Sequence, residues 1–258
     1  QKEHMTDKTL ARKNAVVTGA SSGMGAAIAR RIAAAGAGVW AVGGANAEAL
    51  GETIDSCAAA GVRAGGKGYD FSDSRQAGAA VREGAEFLGG LDILINCAGT
   101  RNFKALVDTD DEDIDFMFEV NAKSYFFAAR EAARLMVPLG SGQILMIGSV
   151  SGERARANRA LYCATKAAVH LLTQSLALEL GPLGIRVNCL APGLIDSGRV
   201  KVMLKEDPAQ SKKRIAGIPL GQLGDPENIA ATVVFFLSPE NDFMNGSIVA
   251  VDGGSSAG

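Results

Sequence analysis

The sequence predicts an α/β fold, a single domain built on a doubly wound parallel sheet of seven strands. Three observations carry that expectation. Short apolar runs bounded by glycine alternate with alanine-rich stretches of helical length along the whole chain. The apolar runs are mostly unbroken and β-branched rather than alternating, as strands buried on both faces are. Hairpin signals are few, and no linker, composition break or internal repeat divides the 258 residues.

The elements follow in order. A strand at 14–18 ends in a glycine-rich turn that opens a helix at 25–35. A second strand at 38–42 leads to a helix at 46–60, and a third at 62–69 to a helix at 73–88. The fourth strand, 92–97, precedes a long helix at 110–137, and the fifth, 142–147, precedes one at 160–180. A sixth strand, 185–190, is followed by a mixed-charge stretch at 194–220, too long for an ordinary connection and expected to be a substrate lid. A helix at 226–238 and a strand at 247–251 complete the domain.

Composition excludes several roles. At 47% hydrophobic the chain can bury a large core, and a net charge of −2 offers no basic surface for nucleic acid. No run of 18 apolar residues predicts a membrane span. Cys57, Cys97, Cys163 and Cys189 are widely spread and the histidines are only two, so no metal site is expected and the thiols read as small buried groups in a reducing cytoplasm. Residues 1–5, QKEHM, carry none of the zones of a secretory signal and read as a tag remnant containing His4, with the domain at 6–258. His170 is expected to pack or to face solvent.

Two motifs carry chemistry. In TGASSGMG, residues 18–25, Gly19 permits a sharp turn, Gly23 a close approach of pyrophosphate to backbone, and Gly25 close packing of helix on strand. Phosphates would then meet the free amides and positive pole of the helix N-terminus, beside Ser22 and Met24. In YCATK, Tyr162 and Lys166 stand one helical turn apart and reach a common point.

The Thr-Gly-x-x-x-Gly-x-Gly spacing resembles that of the short-chain dehydrogenase/reductase family, and the resemblance continues over about 10–254. YDFSD places Asp70 and Phe71 where the family contacts adenine. NCAG (Asn96, Cys97, Ala98, Gly99) resembles its Asn-Asn-Ala-Gly, with Cys97 in place of the second Asn. EVNAKSYFF supplies Asn121, and IGSVSG supplies Ser149 and Ser151, with Ser149 thirteen residues before Tyr162. NCLAPGLIDS matches the stretch after the sixth strand, contributing Pro192, Gly193, Ile195 and Ser197, the last where threonine is usual.

The resemblance implies a Rossmann-type fold and an NAD(P)-dependent oxidoreductase interconverting a secondary alcohol and a ketone without a metal. Tyr162 would be its general acid/base. A free phenol titrates near 10, too high for a base at neutral pH, and an adjacent ammonium stabilises phenolate. Lys166 would supply that charge and hold the nicotinamide ribose, Ser149 would bond the substrate oxygen with Ser151 also at the substrate, and Asn121 would retain a relay water. The second strand ends AVGGAN, with Gly43 and Gly44 where NAD-preferring relatives carry an acid. Asn46 and backbone amides remain to receive a 2′-phosphate, so NADP(H) is favoured over NAD(H).

Arg154, Arg156 and Arg159 lie between Ser149 and Tyr162. If the helix has begun at Arg159, its guanidinium shares the catalytic face and pairs with a small anionic substrate; otherwise the three are solvated or bridge subunits through Glu153 or Asp196. Two alternatives stay open. One is a 3-oxoacyl-(acyl carrier protein) reductase, with Lys201, Lys205, Lys212, Lys213 and Arg214 meeting the carrier, diluted by Glu206 and Asp207. The other is a catalytically silent dinucleotide-binding regulator. The family is commonly homotetrameric, with the helices at 110–137 and 160–180 at the interface.

Overall fold

The computed structural model describes residues 8–197, 200 and 208–257. Among them, β1 (Asn14–Thr18), β2 (Gly38–Gly43), β3 (Ala64–Gly68), β4 (Ile93–Asn96), β5 (Gly142–Ile147), β6 (Ile185–Pro192) and β7 (Ile248–Val251) form one all-parallel sheet in the order β3-β2-β1-β4-β5-β6-β7. The chain winds outward from β1 to one edge and from β4 to the other. The reversal between β1 and β4 opens a crevice at the carboxyl ends of those strands, where ligands of such sheets bind.

Helices cover both faces: α1 (Gly23–Ala34), α2 (Ala47–Ala59), α3 (Arg75–Leu88), α4 (Asp111–Phe118), α5 (Ser124–Met136), α6 (Ala160–Leu180), α7 (Pro208–Ala216) and α8 (Pro226–Leu237). Successive strand residues point to opposite sides. Ala15, Val17, Ile93, Ile95, Leu145 and Ile147 join a core with α1, α2 and α8, while Val16, Leu94, Ile144 and Met146 join one with α3, α5 and α6. Burial on both faces explains why these strands read as unbroken apolar runs. No described helix is long and apolar enough to cross a membrane.

The expected elements are all present, with four departures. The strand foreseen at 62–69 is shortened to Ala64–Gly68, an edge strand that departs from the β-branched pattern. A Cβ at Gly65 would stand 2.6 Å from the Phe87 ring, and one at Gly66 2.9 Å from Ile54 Cδ1, so side chains from α3 and α2 lie directly on bare backbone.

The helix foreseen at 110–137 is interrupted. A π-helical turn, Glu119–Lys123, separates α4 from α5, and the Ser124 N–H bonds the Glu119 carbonyl while Ser124 Oγ donates to the Val120 carbonyl at 2.7 Å. Such bulges are frequent at functional sites. The sixth strand runs on to Pro192. Of the lid foreseen at 194–220, α7 is helical; residues 198–199 and 201–207, with Lys201, Lys205, Glu206 and Asp207, lie outside the described residues, as do residues 1–7.

The turn that enters α1 leaves no room for side chains at two of its glycines. Gly19 has φ +72°, and a Cβ on Gly25 would stand 2.1 Å from the Gly19 carbonyl oxygen. Gly51, inside α2, has nothing within 4 Å of its Cβ position. Gly25→Ala should therefore lower stability by about 1–3 kcal/mol through overpacking, whereas Gly51→Ala should raise it by about 0.5–1 kcal/mol through helix propensity. Urea unfolding of both variants checks the pair; equal effects would contradict this account of Gly25.

Candidate active site

The crevice is a cleft of about 990 Å³ whose walls come from the β1–α1 turn, the ends of β2, β3 and β4, and the π-turn. At its floor the Thr18 hydroxyl accepts from the Cys97 and Ala98 N–H groups, both at 3.0 Å, and so ties β1 to β4 where the sheet divides. Ser22 is the N-cap of α1 and contributes no side-chain cap, while the first amide to bond back, Ala26, reaches Ser22. The amides of Gly23, Met24 and Gly25 remain unpaired within the helix, and no carboxylate occupies the first turn. A bare turn, unpaired amides and a helix dipole suit a pyrophosphate, so the residues present fit a nicotinamide dinucleotide.

Of the residues expected to hold a dinucleotide, Gly19, Ser22, Gly23, Met24, Gly25, Gly43, Gly44, Asn46, Asp70, Phe71, Ala98, Gly99 and Ser197 line the cleft. Six expected residues do not: Tyr162 and Lys166 stand beyond its Gly99 and Thr100 wall, and four others are turned away. Asn96 is 1% exposed, and its Nδ2 donates to the Tyr125 carbonyl and the Met146 sulfur, both at 3.3 Å, because the strand alternation turns it into the core. Ile195 is buried in the core and pairs with Gly224. Pro192 is the last residue of β6, and Gly193 lies against Asp252, whose Cβ would be 2.6 Å from an added methyl.

The two glycines ending β2 differ. A Cβ on Gly43 would stand 2.3 Å from Ser21 Oγ, whereas Gly44 is exposed with nothing within 4 Å. Asn46 caps α2, its Oδ1 accepting from the Ala49 N–H at 3.0 Å, which leaves its amide nitrogen as a donor. The Asp70 carboxyl is held below its usual range, chiefly by the Ser72 backbone N–H it accepts at 2.9 Å. Burial pushes the Cys97 thiol up to about 12, so it stands in the cleft neutral.

The candidate catalytic groups lie beyond the cleft wall, where a Cβ on its lining residue Gly99 would stand 3.4 Å from Asn121 Oδ1 and 3.8 Å from Lys166 Nζ. Lys166 is 4% exposed; its Nζ donates to the Ile147 carbonyl at 2.9 Å and lies 5.1 Å from the Tyr125 ring. Tyr125 donates to the same carbonyl at 3.0 Å. Asn121, within the π-turn, is fully buried: its Oδ1 accepts from the Thr100 N–H at 2.8 Å, and its Nδ2 donates to the Thr100 carbonyl at 2.9 Å and to Thr165 Oγ1 at 3.2 Å. Its side chain is therefore spent on stapling the loop after β4, and Gly99 of that loop is close to both Asn121 and Lys166.

Ser149 follows β5 with extended φ and caps a short 3₁₀ turn, Val150–Gly152. Its Oγ accepts from the Ser151 N–H at 3.1 Å, which leaves the hydroxyl proton to donate elsewhere. Ser151, expected at the substrate, is buried behind Ser149 and supports it.

Arg159 departs from the expected geometry. It is the N-cap of α6 with φ −137°, so the helix has not begun there and the residue does not share the Tyr162 face by helical spacing. Its guanidinium instead lies 4.3 Å from the Phe103 ring centroid, and Phe103 meets Tyr162 edge-on at 5.6 Å. Phe103 has no motif around it in the sequence, and only the aromatic-next-to-basic run RNFK would have drawn attention to it. Arg159 is half-buried, and desolvation, then Arg156 and Arg214, lower its pKa. Among the described residues it has no ion pair, and the nearby Asp113 is engaged by Lys104 and Asn102. Arg154 donates to the Ser256 carbonyl at 2.5 Å. Among the described residues no group of three or more His, Cys, Asp or Glu is placed to hold a metal.

A family model described as enoyl-(acyl carrier protein) reductase matches residues 19–256. The short-chain reductase protein NovJ of Streptomyces niveus is 36% identical over 93% of this chain and 92% of its own length. The 4-formylbenzenesulfonate dehydrogenase of Comamonas testosteroni is 37% identical over 95% of this chain and 98% of that protein. The crystal structure of a short chain dehydrogenase from Burkholderia cenocepacia in complex with NADP is 37% identical, covers 96% of this chain and 99% of that one, and superposes with a TM-score of 0.89.

Proposed function

Because the chain belongs to the short-chain dehydrogenase/reductase family and is an oxidoreductase of alcohol and ketone groups, we propose that Tyr162 is its general acid/base, working with Ser149 and Lys166 on a secondary alcohol or its ketone. The observation that carries this reading is the buried Lys166 ammonium, held by the Ile147 carbonyl one helical turn from Tyr162. A nicotinamide dinucleotide, when bound, supplies or accepts the hydride. Ser149 donates its hydroxyl proton to the substrate oxygen and fixes it near Tyr162. In reduction the Tyr162 hydroxyl gives its proton to that oxygen as the carbinol forms, and the Lys166 charge stabilises the phenolate left behind. In oxidation the phenolate takes the carbinol proton. With the Asn121 side chain spent on Thr100 and Thr165, any relay to solvent at this position falls to the backbone of the π-turn.

NADP(H) is the favoured cofactor. No carboxylate ends β2, Gly44 leaves open space, and the Asn46 amide nitrogen is a ready donor to a 2′-phosphate. The NADP-bound relative supports the same choice.

For the substrate we favour a small anionic carbonyl or alcohol. A half-buried guanidinium without a carboxylate partner among the described residues, crowded by Arg156 and Arg214, gains most from an anion, and the related 4-formylbenzenesulfonate dehydrogenase is named for a sulfonate. The second reading, an acyl carrier protein substrate, draws on the family model's description and on exposed Lys212 and Lys213. Turnover of a 3-oxoacyl thioester separates the two, and absence of any turnover across a ketone and alcohol panel would favour a silent regulator. A homotetramer joined through α5 and α6 is supported by their exposed apolar side chains: Leu171 and Leu178 on α6 are 66% and 80% exposed, and Phe126 on α5 50%.

Three substitutions test the assignment. Tyr162→Phe keeps the ring and removes the proton, so kcat should fall almost to zero while cofactor affinity holds; substantial turnover, followed at 340 nm, would refute the acid/base role. Gly44→Asp should move preference strongly towards NAD by like-charge repulsion without the clash that Gly43→Asp would meet, read by fluorescence titration of both cofactors. Arg159→Ala should raise KM about ten- to a hundredfold for anionic substrates, corresponding to about 1.5–3 kcal/mol for a charged hydrogen bond. Neutral substrates should be unaffected, and equal losses for both would remove the anionic reading.

A further inference from the structure

The 3₁₀ turn that presents Ser149 is wrapped around a buried histidine. His170 is 5% exposed on α6, and its Nε2 accepts from the Ser149 backbone N–H at 3.5 Å. A Cβ at Gly148 would stand 2.5 Å from that nitrogen, and one at Gly152 2.7 Å from His170 Cε1. The imidazole thus fills the space that side chains at both glycines would need. Tyr162, Lys166 and His170 follow one another at four-residue intervals along α6, so a single helix face carries the proton donor and two hooks. Lys166 hooks the Ile147 carbonyl, His170 the Ser149 amide.

We propose that His170 is a positioning residue: as a neutral imidazole carrying its proton on Nδ1, it holds Ser149 in register with Tyr162, and protonation of Nε2 releases that hold. The chemistry is one of donors and acceptors. An Nε2 that accepts from an amide carries no proton, which puts the proton on Nδ1. When Nε2 gains a proton, two N–H groups face each other and the bond is lost. The inference rests on Ser149 as the residue that bonds the substrate oxygen.

Three titratable groups surround the ring. Glu153 of the 3₁₀ turn has its Oε1 3.7 Å from Nδ1, Lys166 lies one turn back on α6, and Cys189 of β6 faces Gly148. Burial holds the Cys189 thiol near 11 and therefore neutral. Desolvation lowers the His170 pKa below its ordinary 6.5, Glu153 opposes that shift, and Lys166 adds to it. Neutral imidazole is then the form at pH 7. Because the unfolded chain binds the proton more readily, the fold also loses stability as pH falls below about 6.5.

The chain has two histidines, His4 and His170, so histidine-selective 13C and 15N labelling gives two ring systems, assigned with His170→Gln. The expected result is an Nδ1–H tautomer for His170, a midpoint below 6.5, and a Ser149 amide resonance that moves with the same midpoint. Glu153→Gln, at an exposed position, should shift that midpoint to lower pH. On a carbonyl that the wild-type enzyme reduces, the acid limb of kcat should share the midpoint and move with Glu153→Gln, while cofactor KM stays constant. An Nε2–H tautomer, or a Ser149 amide indifferent to the His170 titration, would overturn the proposal. Both are read on the wild-type protein whether or not it turns a substrate over, so this result stands apart from the test of Tyr162.

Discussion

One buried ammonium organises the end of the molecule where β5, α5 and α6 meet. Lys166 is almost fully removed from water, and among the described residues no carboxylate pairs with it. An isolated charge in such a place costs several kcal/mol unless dipoles replace its hydration. The Ile147 carbonyl, at the end of the fifth strand, is the dipole that answers it, and Tyr125 shares that carbonyl from the opposite helix. The fifth strand, α6 and the helix after the π-turn therefore converge on one oxygen atom. A lysine held in this way has protons left for a ribose hydroxyl and a charge left for a phenolate.

The rest of the cleft follows from sheet topology. Strands buried on both faces can present function only at their ends, and the winding reverses between the first and fourth strands. Thr18 bridges those two ends, Asn121 staples the loop beyond the fourth strand, and Ser149 leaves the fifth. Each group sits on a strand terminus or is tied to one by hydrogen bonds to backbone. Positions are fixed without crowding the space between them.

Much of this was legible in the sequence because strand alternation and helical periodicity are local. The seven strands, the glycine turn and the one-turn separation of Tyr162 and Lys166 on a helix needed only spacing. What stayed hidden depends on which way a residue faces after its element ends. Asn96 resembles a cofactor contact but turns into the core to meet Tyr125, and Ser151 braces Ser149 from behind. Gly43 and Gly44 are equivalent as letters, yet Ser21 closes off the first and nothing closes off the second. The π-turn at Glu119–Lys123 inserts one residue into a smooth helical pattern, and His170 looked inert because its partner is a backbone amide. Phe103 owes its importance to Arg159 and Tyr162, which are distant in the chain.

If the hydride changes hands at the Lys166 and Tyr162 face of α6, a crystal structure of the protein with NADP+ should show it. Pyrophosphate should lie on the amides of Gly23–Gly25, the 2′-phosphate beside Gly44 and Asn46, and the nicotinamide ring against Tyr162 with its ribose on Lys166. A dinucleotide bound with its nicotinamide end away from Tyr162, or one that leaves Lys166 bonded to the Ile147 carbonyl alone, would contradict it.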